Sequence, residues 1–299
     1  MVSELSILIP VYNQEVTPLV QDLHSQCRQA KVPFEIRVYD DGSAEEIKEL
    51  NRPLNSLDQV YYVELQKNVG RSAIRNLLAS EARYQYLLFL DNDNRIPSPH
   101  FIQNYLSLPH LYPIVLGGTV YDEAKPSSAY VLRWRFGRER EQKSLAARRR
   151  HPYRYFALNN TLCQRELFRQ FRLDEGLQGY GYEDVAFGME VKKAGIPVHH
   201  LHNPVVHTGL DRVEEFLEKT RQGVRNLRQL AGRKHLQEDI RLLKAYRLLR
   251  TIGMLRPFLL LMEKWEMNIL RNLRSPDPSL LYFDLYRLKL LAEMAKERE

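Results

Sequence analysis

The chain has 299 residues and a 44% hydrophobic content, enough for one large α/β domain with an appendage or for two domains, which excludes global disorder. A net charge of +7 and a pI near 9.3 favour anionic partners: nucleotide phosphates, nucleic acid or an acidic membrane face. Cys27 and Cys163 stand far apart in no C-x-x-C pattern, which argues against a disulfide framework or a cysteine zinc site and for buried, reduced thiols in the cytoplasm.

Leu5-Ser6-Ile7-Leu8-Ile9 reads as a buried strand ending at Pro10, and with no basic region before it no signal peptide is expected. Residues 16–30 have helical spacing, and Phe34-Glu35-Ile36-Arg37-Val38-Tyr39 is a second strand before the turn Asp40-Asp41-Gly42-Ser43. Ser43 is expected to cap a short helix over 44–50. A third strand over 60–65, a helix over 71–83 and a fourth strand over 86–90 follow. Repeated strand–helix units imply a mainly parallel sheet with helices on both faces. Ligands of such sheets bind beyond the C-terminal ends of the strands.

Residues 114–121 read as another strand, 126–153 as an Arg-rich loop or helix, 155–160 as a strand and 164–171 as a helix. A glycine-rich loop over 176–181 leads into a helix over 183–194, which Gly195 ends. Residues 198–206 read as extended, and His199, His200, His202 and His207 crowd this stretch. His200 and His202 would share one strand face, but no ligand spacing completes a tetrahedral zinc set. From 211 the pattern is helical, with breaks expected near Gly232, Pro257 and Ser275-Pro276-Asp277-Pro278. The longest apolar run, Phe258-Leu259-Leu260-Leu261-Met262, is far short of the roughly 20 residues that span a bilayer. Residues 236–273 mix Arg and Lys with Leu, Ile, Met and Trp265, a composition that suits either an anionic membrane surface or packing against protein.

The chemistry concentrates at strand ends. Asp91-Asn92-Asp93 follows the apolar run Tyr86-Leu87-Leu88-Phe89-Leu90. If extended, the segment points both carboxylates the same way, as hard oxygen ligands for a divalent cation that in turn holds a diphosphate. Pro10-Val11-Tyr12-Asn13 has no G-x-G-x-x-G, which disfavours a dinucleotide oxidoreductase, and leaves Tyr12 to flank a base. A carboxylate of Asp40-Asp41 can accept the imide N–H of uracil. Asn68-Val69-Gly70-Arg71 opens a helix where Gly70 permits close backbone approach, and Arg71 and Arg75 add positive charge.

In this order and spacing, the four motifs resemble those of family 2 glycosyltransferases, which have the GT-A fold. The resemblance implies that Pro10, Tyr12 and Asp41 line the nucleoside pocket, that Arg71 lies near the base or phosphates, beside the close backbone approach at Gly70, and that Asp91 approaches the ribose. It implies that Asp93 binds Mn²⁺ or Mg²⁺ and that the donor is a UDP-sugar. Gly179-Tyr180-Gly181-Tyr182-Glu183-Asp184 resembles the G-aromatic-G-x-E-D segment of galactosyl- and N-acetylhexosaminyl-transferases, with Tyr where Trp is more usual. It implies that Tyr180, Tyr182 and Glu183 meet the acceptor and that Asp184 is the general base. His207-Thr208-Gly209 stands where such enzymes place a histidine that completes the metal shell. Gln222-Gly223-Val224-Arg225-Asn226 lacks the tryptophan of the processive synthases' Q-x-x-R-W.

The expectation is therefore a GT-A catalytic domain over 1–210, with a nucleotide-sugar half over about 1–95 and an acceptor half over about 96–210, then a basic helical extension over 211–299. Its expected reaction is metal-dependent, inverting transfer from a UDP-sugar to a hydroxyl of a glycan or lipid-linked acceptor, without nucleic acid, in the cytoplasm or peripherally at the inner face of the membrane. The rivals are a sugar-phosphate nucleotidyltransferase, which should show a Gly-rich basic signature after the first strand, and a non-catalytic basic nucleic-acid-binding protein.

Overall fold

A computed structural model describes residues 2–232 and 240–296; the part of the 236–273 expectation over 236–239 lies outside the described residues. The chain forms two compact units. The first comprises Met1–Asp122, Gln142–Glu175 and Glu183–Gly209; the second comprises Glu123–Glu141, Gly176–Tyr182 and Leu210–Glu299.

The first unit is built on a seven-stranded sheet. Its elements begin with β1 (Leu5–Val11), α1 (Thr17–Ala30), β2 (Phe34–Asp40), α2 (Glu45–Asn51), β3 (Val60–Glu64), α3 (Arg71–Glu81) and β4 (Tyr86–Leu90). They continue with β5 (Asn94–Arg95), α4 (Phe101–Leu106), β6 (Ile114–Leu116) and β7 (Thr119–Val120). After α5 (Val131–Phe136) of the second unit come α6 (Leu145–Arg150), β8 (Asn160–Gln164), α7 (Arg165–Gln170), α8 (Glu183–Lys193), β9 (Val198–His200) and β10 (Val205–His207).

The sheet order is β3-β2-β1-β4-β8-β6-β9. All its pairings are parallel except those of β8 with β4 and β6. Alternation decides which face each strand residue covers. Leu5, Ile7, Ile9 and Val11 of β1 join Leu88 and Leu90 of β4 in one core with α1 and α4. Leu8, Leu87 and Phe89 point the other way, to Ile74 and Leu78 of α3, Phe168 of α7 and Phe187 of α8. Helices thus cover both faces. Cys27 and Cys163 are free and fully buried, and burial raises both thiols, Cys27 to about 12. These are inert packing residues.

Several expectations need correction. Ser43 does not cap α2: Ala44 is the cap residue, and the Ser43 hydroxyl accepts the Asn13 N–H instead. The expected strand over 114–121 is two strands in different sheets, broken at Gly117-Gly118, where Gly118 has φ +98°. The strand expected over 155–160 begins only at Asn160. The extended stretch 198–206 breaks at Asn203-Pro204 into β9 and β10, which pair in different sheets.

The second unit holds α5, the loop Gly176–Tyr182, α9 (Val213–Leu230), α10 (Arg241–Thr251), α11 (Leu255–Leu273) and α12 (Leu280–Lys296). Their apolar faces meet around Leu132, Phe216, Leu227, Met262, Ile269 and Phe283. Pro257 does not break the helical pattern. It lies in the first turn of α11, where a missing N–H costs no helical bond, and the break falls at Gly253 with φ +72°. No described helix is long and apolar enough to cross a membrane.

Candidate active site

Every predicted site residue except Tyr180 and Tyr182 lies in the first unit, around the C-terminal ends of β1, β2 and β4. Parallel pairing of β1 with β2 and β4 brings these ends together. Beyond β1, the Tyr12 ring is exposed. Beyond β2, the two acids separate in role. Asp40 is fully buried and structural: it accepts from the Ser43 N–H at 2.7 Å and the Tyr62 hydroxyl at 3.1 Å. Asp41 accepts from the backbone N–H groups of Val69 (2.7 Å) and Gly70 (3.1 Å), one on each oxygen. Burial pushes its carboxyl up despite these donors. Each oxygen keeps a lone pair for a further donor. Gly70 adopts φ +91°, which β-carbon-bearing residues rarely take, and the space above it is open.

Asp91 and Asp93 do not share one side. The segment turns immediately after β4, with the Asn94 N–H donating to the Asp91 carbonyl at 3.3 Å, so strand alternation does not apply. Their carboxylates meet different partners. Asp91 Oδ1 lies 2.5 Å from Nη2 of Arg75, and Asp91 Oδ2 lies 3.9 Å from Arg71. Asp93 Oδ1 lies 3.2 Å from Nδ1 of His207.

A small sheet of order β5-β10-β7 creates the second pairing. His207 pairs with Asn94, one residue after Asp93 and far from His207 along the chain. Thr208 donates to the Asp93 carbonyl through its N–H (2.9 Å) and hydroxyl (2.8 Å), and the edge of Tyr121 packs on the His207 ring. A β-carbon on Gly209 would collide with the Asp93 carboxylate. A carboxylate and an imidazole side by side suit a divalent cation. No group of three His, Cys, Asp or Glu able to hold a metal occurs among the described residues. The Asp93–His207 pair could supply two of such an ion's ligands.

The other histidines go elsewhere. His199 stacks on Tyr112, with 4.0 Å between ring centroids, and His202 is exposed. The strand ends at His200, so His200 and His202 do not share a strand face. His200 is buried, accepts from Arg148 at Nδ1 and donates from Nε2 to the Pro152 carbonyl; burial lowers it to about 4 and keeps it neutral.

Glu183 and Asp184 open α8 in opposite electrostatic states. Glu183 is buried, receives a 2.6 Å hydrogen bond from Arg71 Nε, and has Arg75 Nη1 at 3.9 Å. Burial alone would raise Glu183 and Asp91, but the two guanidinium groups outweigh it and hold both below the usual carboxylate range. Asp184 Oδ2 accepts from the Leu158 N–H at 3.2 Å, while its Oδ1 is buried without a hydrogen-bond partner among the described residues. Burial, then the neighbouring Glu183 charge, raise its carboxyl from 3.8 to about 7. The helix N-terminus, which by itself favours the ionised form, loses to these effects.

Arg75 is the functional residue that sequence reasoning undervalued. Its guanidinium, almost fully buried, is shared by Asp91 and Glu183 and braced on the Arg71 carbonyl. Its place one helical turn after Arg71 was the available signal.

Within the second unit, Asn226 of α9 holds the glycine-rich loop by donating to the carbonyls of Gln178 and Gly181, both at 3.0 Å. Tyr180 lies against Lys219, and the Tyr182 hydroxyl accepts from Arg287.

A family model described as "Glycosyl transferase family 2" matches residues 6–171, more than half of the chain. Chondroitin synthase of Escherichia coli is 31% identical over 225 residues, covering 64% of this chain and 32% of that protein, so the chain spans about a third of that relative's length. Two solved structures resemble the whole chain or most of it. One is mannosyltransferase PcManGT from Pyrobaculum calidifontis in complex with GDP-Man and Mn²⁺: 15% identity, 98% of this chain and 86% of that one, TM-score 0.55. The other is glucosyl-3-phosphoglycerate synthase from Mycobacterium tuberculosis with Mn²⁺, UDP and glucosyl-3-phosphoglycerate: 18% identity, 77% and 80% coverage, TM-score 0.52. The fold is GT-A.

Proposed function

The chain belongs to glycosyl transferase family 2 and is a glycosyltransferase, and we propose that it transfers a sugar from a UDP-sugar to a hydroxyl of a glycan or lipid-linked acceptor, with inversion. The nucleotidyltransferase and non-catalytic readings give way to family membership. The observation that carries the mechanism is the contrast between adjacent carboxyls: Glu183 held ionised by Arg71, and Asp184 raised to about 7. A general base is most effective with a pKa near working pH, because it is then both free to accept a proton and basic enough to hold it. Asp184 has that property and Glu183 does not.

Asp184 takes the proton of the acceptor hydroxyl as its oxygen bonds to the anomeric carbon and the bond from that carbon to the diphosphate breaks. Glu183, fixed by Arg71, accepts hydrogen bonds from other acceptor hydroxyls. Tyr180 and Tyr182 offer rings on which a sugar face stacks. Asp41 receives the base imide N–H, Pro10 and the exposed Tyr12 flank the base, Gly70 and Arg71 lie by the base or phosphates, and Asp91, held by Arg75, meets the ribose. Asp93 and His207 would hold Mn²⁺ or Mg²⁺, which when bound neutralises charge on the departing diphosphate. The uracil assignment rests on the Asp41 carboxylate, and the acceptor class on the synthase relative.

Sugar transfer by Asp184→Asn and Glu183→Gln tests the reading. Asp184→Asn keeps size and hydrogen bonding but removes basicity, so transfer should fall at least about a hundredfold while UDP binding persists. Normal transfer by Asp184→Asn would refute the role; loss confined to Glu183→Gln would reverse the pair.

A further inference from the structure

Within the second unit, α10 and α11 carry a dense set of exposed apolar side chains. Leu248, Ile252 and Met254 line the turn between them, and Leu260, Leu261, Trp265 and Met267 follow within eight residues of α11. Met267 is 72% exposed and Trp265 47%. The opposite face of α11 is spent on the unit's own core, through Leu259, Met262, Ile269 and Leu273. The exposed set is therefore a second apolar surface rather than the edge of the first.

Basic side chains are interleaved with it. At helical spacing, Leu260, Lys264, Met267 and Arg271 form one solvent-facing row, with Leu261 and Trp265 beside it. Arg256, Lys264 and Arg271 are exposed, and none has an acidic partner among the described residues. Of the two acids on α11, Glu266 is engaged by Lys289 at 2.7 Å, which leaves Glu263. Arg241 and Lys244 extend the positive charge along α10.

We propose that this face of α10 and α11 docks on an anionic phospholipid surface. Leucine and methionine would enter the boundary of the acyl region, Trp265 would sit at headgroup level, and Lys and Arg stems would extend their charges to lipid phosphates. Charge selects this occupant over a second copy of the chain. Two copies meeting through this face would oppose positive surfaces in a desolvated contact, whereas anionic headgroups complement them. The helices would lie on the surface, since no described helix is long and apolar enough to cross it. The proposal is independent of the transfer reaction.

The test uses a Trp134→Phe chain, in which Trp265 is the remaining tryptophan of the two. It is mixed with phosphatidylcholine vesicles with and without phosphatidylglycerol. Co-flotation and a blue shift of Trp265 emission are expected only with phosphatidylglycerol, weakening as salt rises. Reversing two charges (Arg256→Glu with Lys264→Glu) should lower partitioning at least about tenfold. Leu260→Ser with Leu261→Ser should suppress the blue shift without changing far-UV circular dichroism, because these side chains are exposed. Asp184→Asn should bind vesicles like the parent, which separates this proposal from the catalytic one. No flotation with phosphatidylglycerol, or equal binding to both vesicles, overturns it. So does a stable dimer in which Trp265 is shielded and lipid binding is absent.

Discussion

Asp184→Asn should make the protein more stable at alkaline pH than at acidic pH, relative to the parent. The Asp184 carboxyl has one buried oxygen without a hydrogen-bond partner among the described residues and a charged Glu183 beside it, and its pKa rises from 3.8 to about 7. A raised pKa means that the folded state prefers the protonated acid. Its stabilising contribution is fully present below the unfolded value and is lost as pH rises through the folded value. The rise from 3.8 to about 7 corresponds to about 4 kcal/mol in total. Between pH 5 and pH 8 the portion lost is about 2.5 kcal/mol by linkage. Asparagine imitates the neutral acid, including acceptance of the Leu158 N–H, and does not titrate. The mutant's stability minus the parent's should therefore rise by about 2–3 kcal/mol from pH 5 to pH 8. Urea unfolding at both pH values, followed by circular dichroism, reads this directly. A difference that stays flat with pH would mean that Asp184 titrates as an ordinary carboxylate, and the argument for its basicity would fail.

Further outcomes follow from the same geometry. The kcat of the parent should rise with pH and level off above about 7, as Asp184 loses its proton; a rate independent of pH between 5 and 8 would count against the assignment. Asp93→Asn should abolish the enhancement of UDP binding by Mn²⁺, measured by calorimetry, with the fold intact; an unchanged metal response removes the site. Gly209→Ala should weaken the same response without altering any ligand, because the added methyl meets the Asp93 carboxylate; equal Mn²⁺ affinity would show that the carboxylate has room to move. Arg75→Met should cost about 3–5 kcal/mol in unfolding free energy, since it leaves the carboxylates of Asp91 and Glu183 short of a buried partner, and a loss below about 1 kcal/mol would make Arg71 the sufficient counterion.

Local pattern made much of this protein legible. The mostly apolar runs at 5–9 and 86–90 needed only composition and bounding Pro and Asp residues to read as strands, because a strand buried on both faces has little polar content, and 34–39 read as a strand from the alternation of Phe34, Ile36 and Val38 with Glu35 and Arg37. The order of strand and helix then determined a mainly parallel sheet, and with it the end at which Tyr12, Asp41 and Asp91 gather. Short edge elements were less legible. β7, β9 and β10 have two or three residues each, and they exist because β10 finds β5 and β7 and β9 finds β6 rather than through any periodicity of their own.

The division is sharpest at the acids. Sequence alone determined which carboxylates stand at chemically useful positions. Tertiary structure decided what each one is: Asp40 is spent on a turn, Asp91 and Glu183 are held ionised by Arg75 and Arg71, Asp93 is turned to His207, and Asp184 is raised toward neutrality. The physical reason is that a strand or helix follows from contacts within a few residues. The charge state of a buried carboxylate follows instead from desolvation and from partners far along the chain, and neither is a property of its neighbours in sequence.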